Sequence, residues 1–355
     1  MNNTPHDRSE TIDWLRGFAV LLVVEYHVSP WPIFVHGNYG VLLFFIVSGY
    51  CIAFSANSST SAWHFYAKRL GRLMPALLVC SFITIAIKWL WPQFVDAGRE
   101  NSLFDWLYTP IALATLNFPS IGYRPADGAY WSLQVEFQFY ILYAAIMLFG
   151  IRQYAVQCFC VFVLIIGLSA SPGIPGSYDF FPYFLAGMSV AAVVSGDQRA
   201  GYIGLISAFL ADLIFLVRGF QQPSMGIGLP RTTMLWLGTA MVWIAAASVP
   251  RVQLAKALRP LAFVGLISYP LYLLHQDIML VIYHSLGIKL YPGMPSPYIV
   301  GCIGVFALTP LFISLATIVH YRVERPLIRP LTKILSGGKM SSLRSREIVS
   351  EVAPQ

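Results

Sequence analysis

One apolar stretch, residues 11–28, carries four ionisable side chains: Asp13, Arg16, Glu25 and His27. The stretch is long enough to cross a bilayer as a helix, where charged groups are costly and mark functional sites by default. Arg16 and His27 are eleven residues apart, so on a helix they share one face, about 16 Å from each other. An arginine suits an anion, and an imidazole suits proton transfer. The simpler alternative is an interhelical hydrogen bond and an arginine that reaches the interface.

A second group of charges lies in FYAKRLGRLMP, residues 65–75. Arg69 and Arg72 are three residues apart and therefore lie close together on one helical face, with Lys68 beside them. Closely spaced guanidinium groups are typical of sites for phosphate-bearing ligands. The alternative is that these residues only set the orientation of the chain in the membrane, which needs no ligand.

The segment WSLQVEFQFY, residues 131–140, places Ser132, Glu136 and Tyr140 at intervals of four, so that they form one polar stripe on a helix. In the topology derived below, Glu136 lies about 9 Å into its span, at a depth similar to that of His27. A carboxylate at that depth could orient an imidazole and raise its basicity. The alternative is a buried glutamate that bonds some other helix.

The segment SYPLYLLHQD, residues 268–277, spaces Tyr269, Tyr272 and His275 by three, with Pro270 expected to kink the helix. Tyrosines near a membrane interface usually form an aromatic belt, which is the simpler reading here. We nevertheless assign the two tyrosines and His275, together with Ser132, to substrate binding. His275 is also a second candidate for the catalytic base.

The composition restricts the class of protein. Apolar residues make up 57% of the 355 residues and charged residues 11%, against about 25% charged in ordinary globular domains. The sequence therefore predicts an all-α, multi-pass membrane protein. The five cysteines lie in or beside apolar runs, without disulfide or zinc spacing, so we expect no metal. The net charge of +7 comes from basic residues beside the spans, which does not indicate nucleic-acid binding.

About ten transmembrane helices can be drawn from the apolar runs. They are Thr11–Val28, Tyr39–Phe54, Leu70–Leu90, Tyr130–Phe149, Ala155–Ala170, Phe180–Val194, Tyr202–Val217, Thr232–Ala247, Leu261–Leu286 and Tyr298–Tyr321. A further run, Leu103–Phe118, is short and contains Pro110, which indicates an interfacial or re-entrant segment.

Lysine and arginine in the short loops set the orientation. Sixteen fall on one side: Arg8, Lys68, Arg69, Arg72, Arg152, Arg199, Arg251, Lys256, Arg259, Arg322, Arg325, Arg329, Lys333, Lys339, Arg344 and Arg346. The other side has Arg99, Arg124, Arg218, Arg231 and Lys289, with Lys88 near a span end. Both termini are therefore predicted to be cytoplasmic. The prediction is a membrane domain over residues 1–325 and a short basic tail over 326–355, with the external loop Pro92–Ala129 able to cover a site.

Taken together, these segments resemble the acyltransferase family 3 membrane O-acyltransferases. The resemblance rests on IDWLRGFAVLLVVEYH, YGVLLFFIVSGYCIA, FYAKRLGRLMP, WSLQVEFQFY, ISYPLYLLHQ and YRVERP, in that order. It implies a ten-helix core in a bacterial inner membrane that moves an acyl group, usually acetyl, from cytoplasmic acyl-CoA to a hydroxyl of an external glycan. Lipopolysaccharide O-antigen or exopolysaccharide would be such a glycan. By the same resemblance His27 is catalytic, Glu136 supports it, and Arg16, Arg69 and Arg72 serve the donor, to which we add Lys68.

Some members of the family carry a C-terminal SGNH-type hydrolase domain. These 355 residues hold no such domain, so we expect the membrane core and external loops to recognise the acceptor. We expect direct transfer, with His27 as general base; a covalent acyl-histidine or acyl-serine relay is the alternative. A carrier or flippase for a lipid-linked sugar or small anion is the alternative from another class, although the spans show no repeated halves.

Overall fold

The structure, a computed structural model, describes residues 5–29, 31–34, 36–96, 100–115, 125–169, 177–219, 231–248, 258–288 and 297–337. These residues form α-helices joined by short 3₁₀ turns and, at Gly304–Leu308 and His320–Glu324, by π-helical turns, with no β-strand among them. In chain order the helices are α1 Pro5–Val28, α2 Gly40–Asn57, α3 Ala62–Leu90, α4 Leu103–Thr115, α5 Trp131–Leu148, α6 Ala155–Ser169, α7 Phe181–Val194, α8 Gln198–Val217 and α9 Arg231–Ser248. They continue with α10 Arg259–Leu266, α11 Ser268–Leu274, α12 Gln276–Ser285, α13 Pro297–Ile303, α14 Thr309–Val319 and α15 Arg325–Leu335.

The helices are those of an integral membrane protein. Among the described residues, five helical segments are long and apolar enough to cross a bilayer: Gly37–Ala56, Ala62–Leu90, Arg152–Ser169, Gln198–Val217 and Tyr298–Leu335. The total of ten spans and the cytoplasmic placement of both termini stay predictions. So does the loop-charge count, since Arg99, Arg124, Arg251, Lys256, Lys289, Lys339, Arg344 and Arg346 lie outside the described residues.

The predicted ninth span, Leu261–Leu286, is three short helices, α10, α11 and α12. The first break, at Ile267, comes three residues before Pro270, whose nitrogen cannot donate to the Leu266 carbonyl. The second break is at His275. There the Asp277 N–H donates to the Asp127 carboxylate (2.9 Å), while the Leu273 carbonyl accepts from the Tyr130 hydroxyl (3.3 Å). These two bonds replace the helical hydrogen bond between Asp277 and Leu273.

The predicted tail, 326–355, begins as a helix. α15 packs along the end of α3 that is predicted to be cytoplasmic. There Gly71 lies against Thr332, and Trp63 Nε1 donates to the Leu335 carbonyl (2.7 Å). Apolar residues on one face of α15 therefore have a partner that the polar composition of the tail did not predict. Residues 338–355 lie outside the described part of the chain, as do the last residues of the predicted segment Leu103–Phe118.

Glycines hold the central helices in close contact. α1 touches α10 where Gly17 meets the Leu261 carbonyl and Gly265 meets the Asp13 carbonyl. α2 touches α7 in the same way, through Gly49 and Gly187. In each case a Cβ atom would collide with backbone of the other helix, so only glycine allows this separation. The packing fixes the two helices that carry Arg16, His27, Ser48 and Cys51.

Candidate functional site

A cavity between α1, α2, α3, α5 and α11 contains all three predicted donor-binding arginines. Its volume is about 90 Å³. We call it the arginine cavity; Arg16, Val41, Phe44, Phe45, Val47, Ser48, Cys51, Ile52, Arg69, Arg72, Leu73, Ser132, Leu133, Glu136, Tyr140, Ser268, Tyr269 and Tyr272 line it. Three guanidinium groups and one carboxylate, that of Glu136, belong to this lining, so the lining carries a net positive charge.

Arg69 is held rigidly at the wall of the arginine cavity. Its side chain is 8% exposed, and one terminal nitrogen donates to Ser55 Oγ. The guanidinium lies over the rings of Phe65 (5.6 Å) and Tyr140 (5.9 Å). Its Nε is buried and has no hydrogen-bond partner within the described residues. Since a buried donor without a partner is costly, Arg69 is prepared for a ligand acceptor.

Arg16 and Arg72 complete the cationic wall. Arg16 donates to Asp13 Oδ1 (3.3 Å) and, from its second terminal nitrogen, to Cys51 Sγ (3.5 Å). Arg72 is half-buried and makes no hydrogen bond or ion pair with any described residue. A guanidinium has five N–H donors, so most of the donors of these two side chains remain available. The wall can therefore bind a polyanion at several points.

Lys68 differs from the three arginines in the contacts that it makes. Its Nζ donates to the Ser58 carbonyl (3.1 Å) and to Ser58 Oγ (3.4 Å), at the carboxyl end of α2. A cation there is favoured by the helix dipole and by the unsatisfied carbonyls of the last turn. Lys68 does not line the arginine cavity. The structure thus places the Lys68 ammonium at the end of a helix, outside the lining of the arginine cavity.

The predicted polar stripe on α5 is present, because Ser132, Glu136 and Tyr140 all line the arginine cavity. Glu136 Oε1 accepts from Ser48 Oγ (2.9 Å) and from the Tyr140 hydroxyl. Neither of these partners is His27. The predicted orienting contact between Glu136 and His27 is therefore not formed within the described residues. The carboxylate instead faces the arginines, where opposite charge stabilises it.

His27 lines a second cavity, of about 220 Å³, which we call the histidine cavity. Val23, Tyr26, Asn38, Tyr39, Val41, Leu42, Ala129, Trp131, Phe180, Arg231 and Tyr272 line it with His27. The two cavities have Val41 and Tyr272 in common. Arg16 and His27, which the spacing put on one face of α1, thus open into adjoining cavities separated by a shared wall.

Sequence reasoning counted Arg231 only as a loop charge, whereas it lines the histidine cavity. Arg231 bonds Asp179 Oδ2 (2.6 Å) and lies 4.8 Å over the Phe180 ring. Its place at the first residue of an apolar helix was the only signal in the sequence. The ion pair adds donors and acceptors to a cavity whose other walls are largely aromatic.

The predicted substrate-binding tyrosines point inward and do not form an aromatic belt. The Tyr269 hydroxyl donates to the Leu73 carbonyl (3.1 Å). Tyr272 is buried, and its hydroxyl bonds the Ala129 carbonyl (2.9 Å) and Ser132 Oγ (2.7 Å). Tyr272 and Ser132 therefore hold the wall between the two cavities.

His275 is fully buried at the break between α11 and α12, and its ring lies 5.1 Å from the His27 ring, centroid to centroid. His275 Nδ1 is 2.8 Å from the Tyr272 carbonyl. The two histidines that the sequence treated as rival bases are neighbours.

A buried charge cluster supports this arrangement, and sequence reasoning missed it. Lys88 Nζ pairs with Asp277 Oδ2 (2.5 Å) and also donates to Asn101 Oδ1 and the Ala126 carbonyl (2.8 Å each). Asp127 accepts from the N–H groups of Ala129 and Asp277. Burial, with the neighbouring Asp277 carboxylate, raises the pKa of Asp127. The cluster ties the segment before α5 to the start of α12, two residues from His275.

Comparison with known proteins identifies the family of the chain. A model of an acyltransferase domain matches residues 9–314. The peptidoglycan O-acetyltransferase OatA of Listeria monocytogenes is 25% identical over 311 residues, which are 76% of this chain and 49% of that protein. The O-acetyltransferase OatA of Staphylococcus aureus is 24% identical over 324 residues, 76% of this chain and 50% of that protein. The chain spans about half the length of these curated relatives. No solved structure matches it significantly. Because the domain model covers most of the sequence, the chain belongs to acyltransferase family 3.

Proposed function

We propose that this acyltransferase moves an acetyl group from cytoplasmic acetyl-CoA to a hydroxyl of a cell-envelope glycan on the outer side of a bacterial cytoplasmic membrane. The observation that carries the proposal is the pair of adjoining cavities on one face of α1. One has three arginines and the other has His27. Anion binding and proton transfer are the two tasks that acyl transfer from a phosphate-bearing donor requires.

The arginine cavity is the proposed site of the donor. CoA carries several phosphates, and arginine binds phosphate through paired, directed hydrogen bonds. Within the described residues, Arg69 Nε has no hydrogen-bond partner and the Arg72 guanidinium makes no hydrogen bond or ion pair. Both observations support binding of such a ligand. The pantetheine arm would lead the thioester along α1 towards the wall that Tyr272 and Val41 form.

The histidine cavity is the proposed site of the acceptor. Trp131, Phe180 and Tyr39 offer aromatic faces on which a sugar ring can pack, and the Arg231–Asp179 pair offers hydrogen-bond donors and acceptors for hydroxyls. The related OatA proteins are O-acetyltransferases, and the Listeria protein is named for peptidoglycan. Peptidoglycan therefore joins lipopolysaccharide and exopolysaccharide as a candidate acceptor.

In the proposed reaction His27 removes the proton from the acceptor hydroxyl as its oxygen attacks the thioester carbonyl. The new oxygen–carbon bond forms, the carbon–sulfur bond breaks, and His27 returns the proton to the leaving CoA thiolate. A covalent acyl-enzyme relay is the mechanistic alternative. The family match favours an acyltransferase over the carrier or flippase alternative.

A transfer assay tests the reaction. Membranes that contain the protein should move label from acetyl-CoA to glycan, and His27→Ala membranes should do so about 10²–10⁴-fold more slowly. The matched control is His36→Ala, which replaces the other histidine near the end of α1 and should keep the wild-type rate. Wild-type membranes that bring in a solute but label no glycan would refute the proposal.

Cys51 allows an independent test of the donor site, because it lies in the arginine cavity. In a protein that keeps only this cysteine, a thioether analogue of acetyl-CoA should slow maleimide labelling of Cys51. Arg69→Ala/Arg72→Ala should abolish that protection, and Arg69→Lys/Arg72→Lys should restore only part of it. A protein that keeps only the exposed Cys302 is the control, and its rate of labelling should not change when the analogue is added. Unprotected Cys51 at saturating analogue would overturn the donor assignment.

A further inference from the structure

The hydrogen bonds of His275 determine which of its nitrogens carries the proton. Nδ1 lies 2.8 Å from the Tyr272 carbonyl, which can only accept, so Nδ1 is the donor. In a neutral imidazole Nε2 is then an acceptor. This Nε2 is buried, and it has no hydrogen-bond partner anywhere in the described residues. A fully buried acceptor without a partner is rare in folded proteins and calls for an explanation.

The ring beside His275 belongs to His27. The two centroids are 5.1 Å apart and the ring planes are tilted by 53°. Two imidazoles joined by one N–H···N hydrogen bond of ordinary length have centroids about 5 Å apart. A small rotation of the half-buried His27 ring would therefore complete that bond. Catalytic hydrogen bonds are often incomplete without substrate and close when it binds.

The charged groups near the two rings are already engaged with others. Asp277, at the start of α12, is paired with Lys88 and accepts from the Gly128 N–H. Arg231, at the start of α9, is paired with Asp179. Neither is hydrogen-bonded to His275. The His275 imidazole thus presents a vacant acceptor beside the His27 ring.

We propose that His275 is the positioning residue of His27: its Nε2 accepts the N–H of the His27 nitrogen that faces it. That bond would fix the His27 tautomer so that the other nitrogen is the base. It would also stabilise the imidazolium that forms when the acceptor hydroxyl gives up its proton. The inference rests on the proposed function, and it assigns to His275 the orienting role that the sequence gave to Glu136.

Two conservative substitutions separate this role from a purely structural one. The amide of asparagine occupies the position of Nδ1, so His275→Asn keeps the bond to the Tyr272 carbonyl but removes the acceptor near His27. The longer glutamine reaches the position of Nε2, so His275→Gln keeps that acceptor. If His275 only secures the helix break, asparagine is the better substitute; if it positions His27, glutamine is.

The experiment measures kcat, the KM for acetyl-CoA and the thermal midpoint for both variants and for His275→Ala. We expect His275→Asn to keep the wild-type midpoint and KM but to lose at least about 10-fold in kcat, and His275→Gln to retain more kcat than His275→Asn. His27→Ala/His275→Ala should be hardly slower than His27→Ala, because residues that act as a unit are not additive.

A folded His275→Asn protein with wild-type kcat would overturn the inference, even if the glutamine variant fails to fold. So would a double variant whose defect is the product of the two single defects. Failure of the proposed function has a different signature, since the wild-type protein itself would then label no glycan.

Discussion

Replacing Lys88 with methionine tests the buried cluster that holds the His275 region in place. Lys88 is ion-paired with Asp277 and lies near Asp127, and all three residues are at most 3% exposed. Methionine has a similar length and fits an apolar site without a charge. The variant therefore leaves the buried Asp277 carboxylate without its cation while changing the packing little.

The size of the effect follows from the chemistry of a carboxylate. A buried aspartate that has lost its cation takes up a proton, because keeping the carboxylate ionised in an apolar site costs far more free energy than protonating it. Protonating an ordinary aspartate at pH 7 costs about 4 kcal/mol, which agrees with the roughly 3–5 kcal/mol typical of breaking a buried ion pair. At pH 5 the same protonation costs only about 1.5 kcal/mol.

In a protein that keeps only Cys80, a thiol-reactive fluorescent dye can follow the unfolding, since Cys80 is fully buried on the same helix. At pH 7 the Lys88→Met midpoint should fall by roughly 5–10 °C, and most of that loss should disappear near pH 5. Lys333→Met is the matched control, because Lys333 is exposed on α15 and its loss should change little.

The reasoning is refuted if the Lys88→Met protein unfolds within about 2 °C of the wild type at pH 7. It is also refuted by a deficit that stays the same at pH 5, because the argument requires a proton to replace the lost cation. Adding Asp277→Asn to Lys88→Met should recover part of the stability at pH 7, as removal of one stranded carboxylate predicts.

Three further outcomes are expected. Gly187→Ala should lower the thermal midpoint and weaken the protection of the arginine cavity by acetyl-CoA, because the new Cβ would collide with the Ile46 carbonyl. Gly238→Ala should have a smaller effect, because its Cβ would meet the flexible end of the Ile46 side chain. Lys68→Ala should leave that protection near the wild-type level, whereas the arginine variants abolish it. Burial raises the pKa of Asp127 to about 7, well above the value of about 4 in the unfolded chain, so the stability of the folded protein should fall as the pH rises from about 4 to about 7. Midpoints of Asp127→Asn measured between about pH 4 and pH 7 should lack that part of the fall.

Local periodicity made part of the site predictable. Arg69 and Arg72 share a wall of the arginine cavity because residues three apart share a helical face. The same argument brought Ser132, Glu136 and Tyr140 to one cavity. The motif order also predicted the family correctly. Statements of this kind need only the geometry of a single helix.

Contacts between distant segments could not be predicted from the sequence. His27 and His275 are neighbours because α11 ends where the Asp277 N–H bonds the Asp127 carboxylate. Helical periodicity does not predict that this bond replaces a helical hydrogen bond. Depth in the membrane suggested Glu136 as the partner of His27, but depth fixes one coordinate and leaves the direction around the helix open. Arg231 was missed for a related reason, since a loop charge and a cavity charge look alike in a sequence.

The wall that Tyr272 and Val41 form between the two cavities has a consequence for the membrane as an electrical barrier. The proposed reaction would have to pass an acetyl group from one side of the membrane to the other without opening a leak for protons or ions. Val41 is apolar, and the Tyr272 hydroxyl is already hydrogen-bonded to Ala129 and Ser132, so neither side chain offers a free relay for protons. The acetyl group would then cross by exchange of covalent bonds at the wall, and the gradient that energises the cell would be kept.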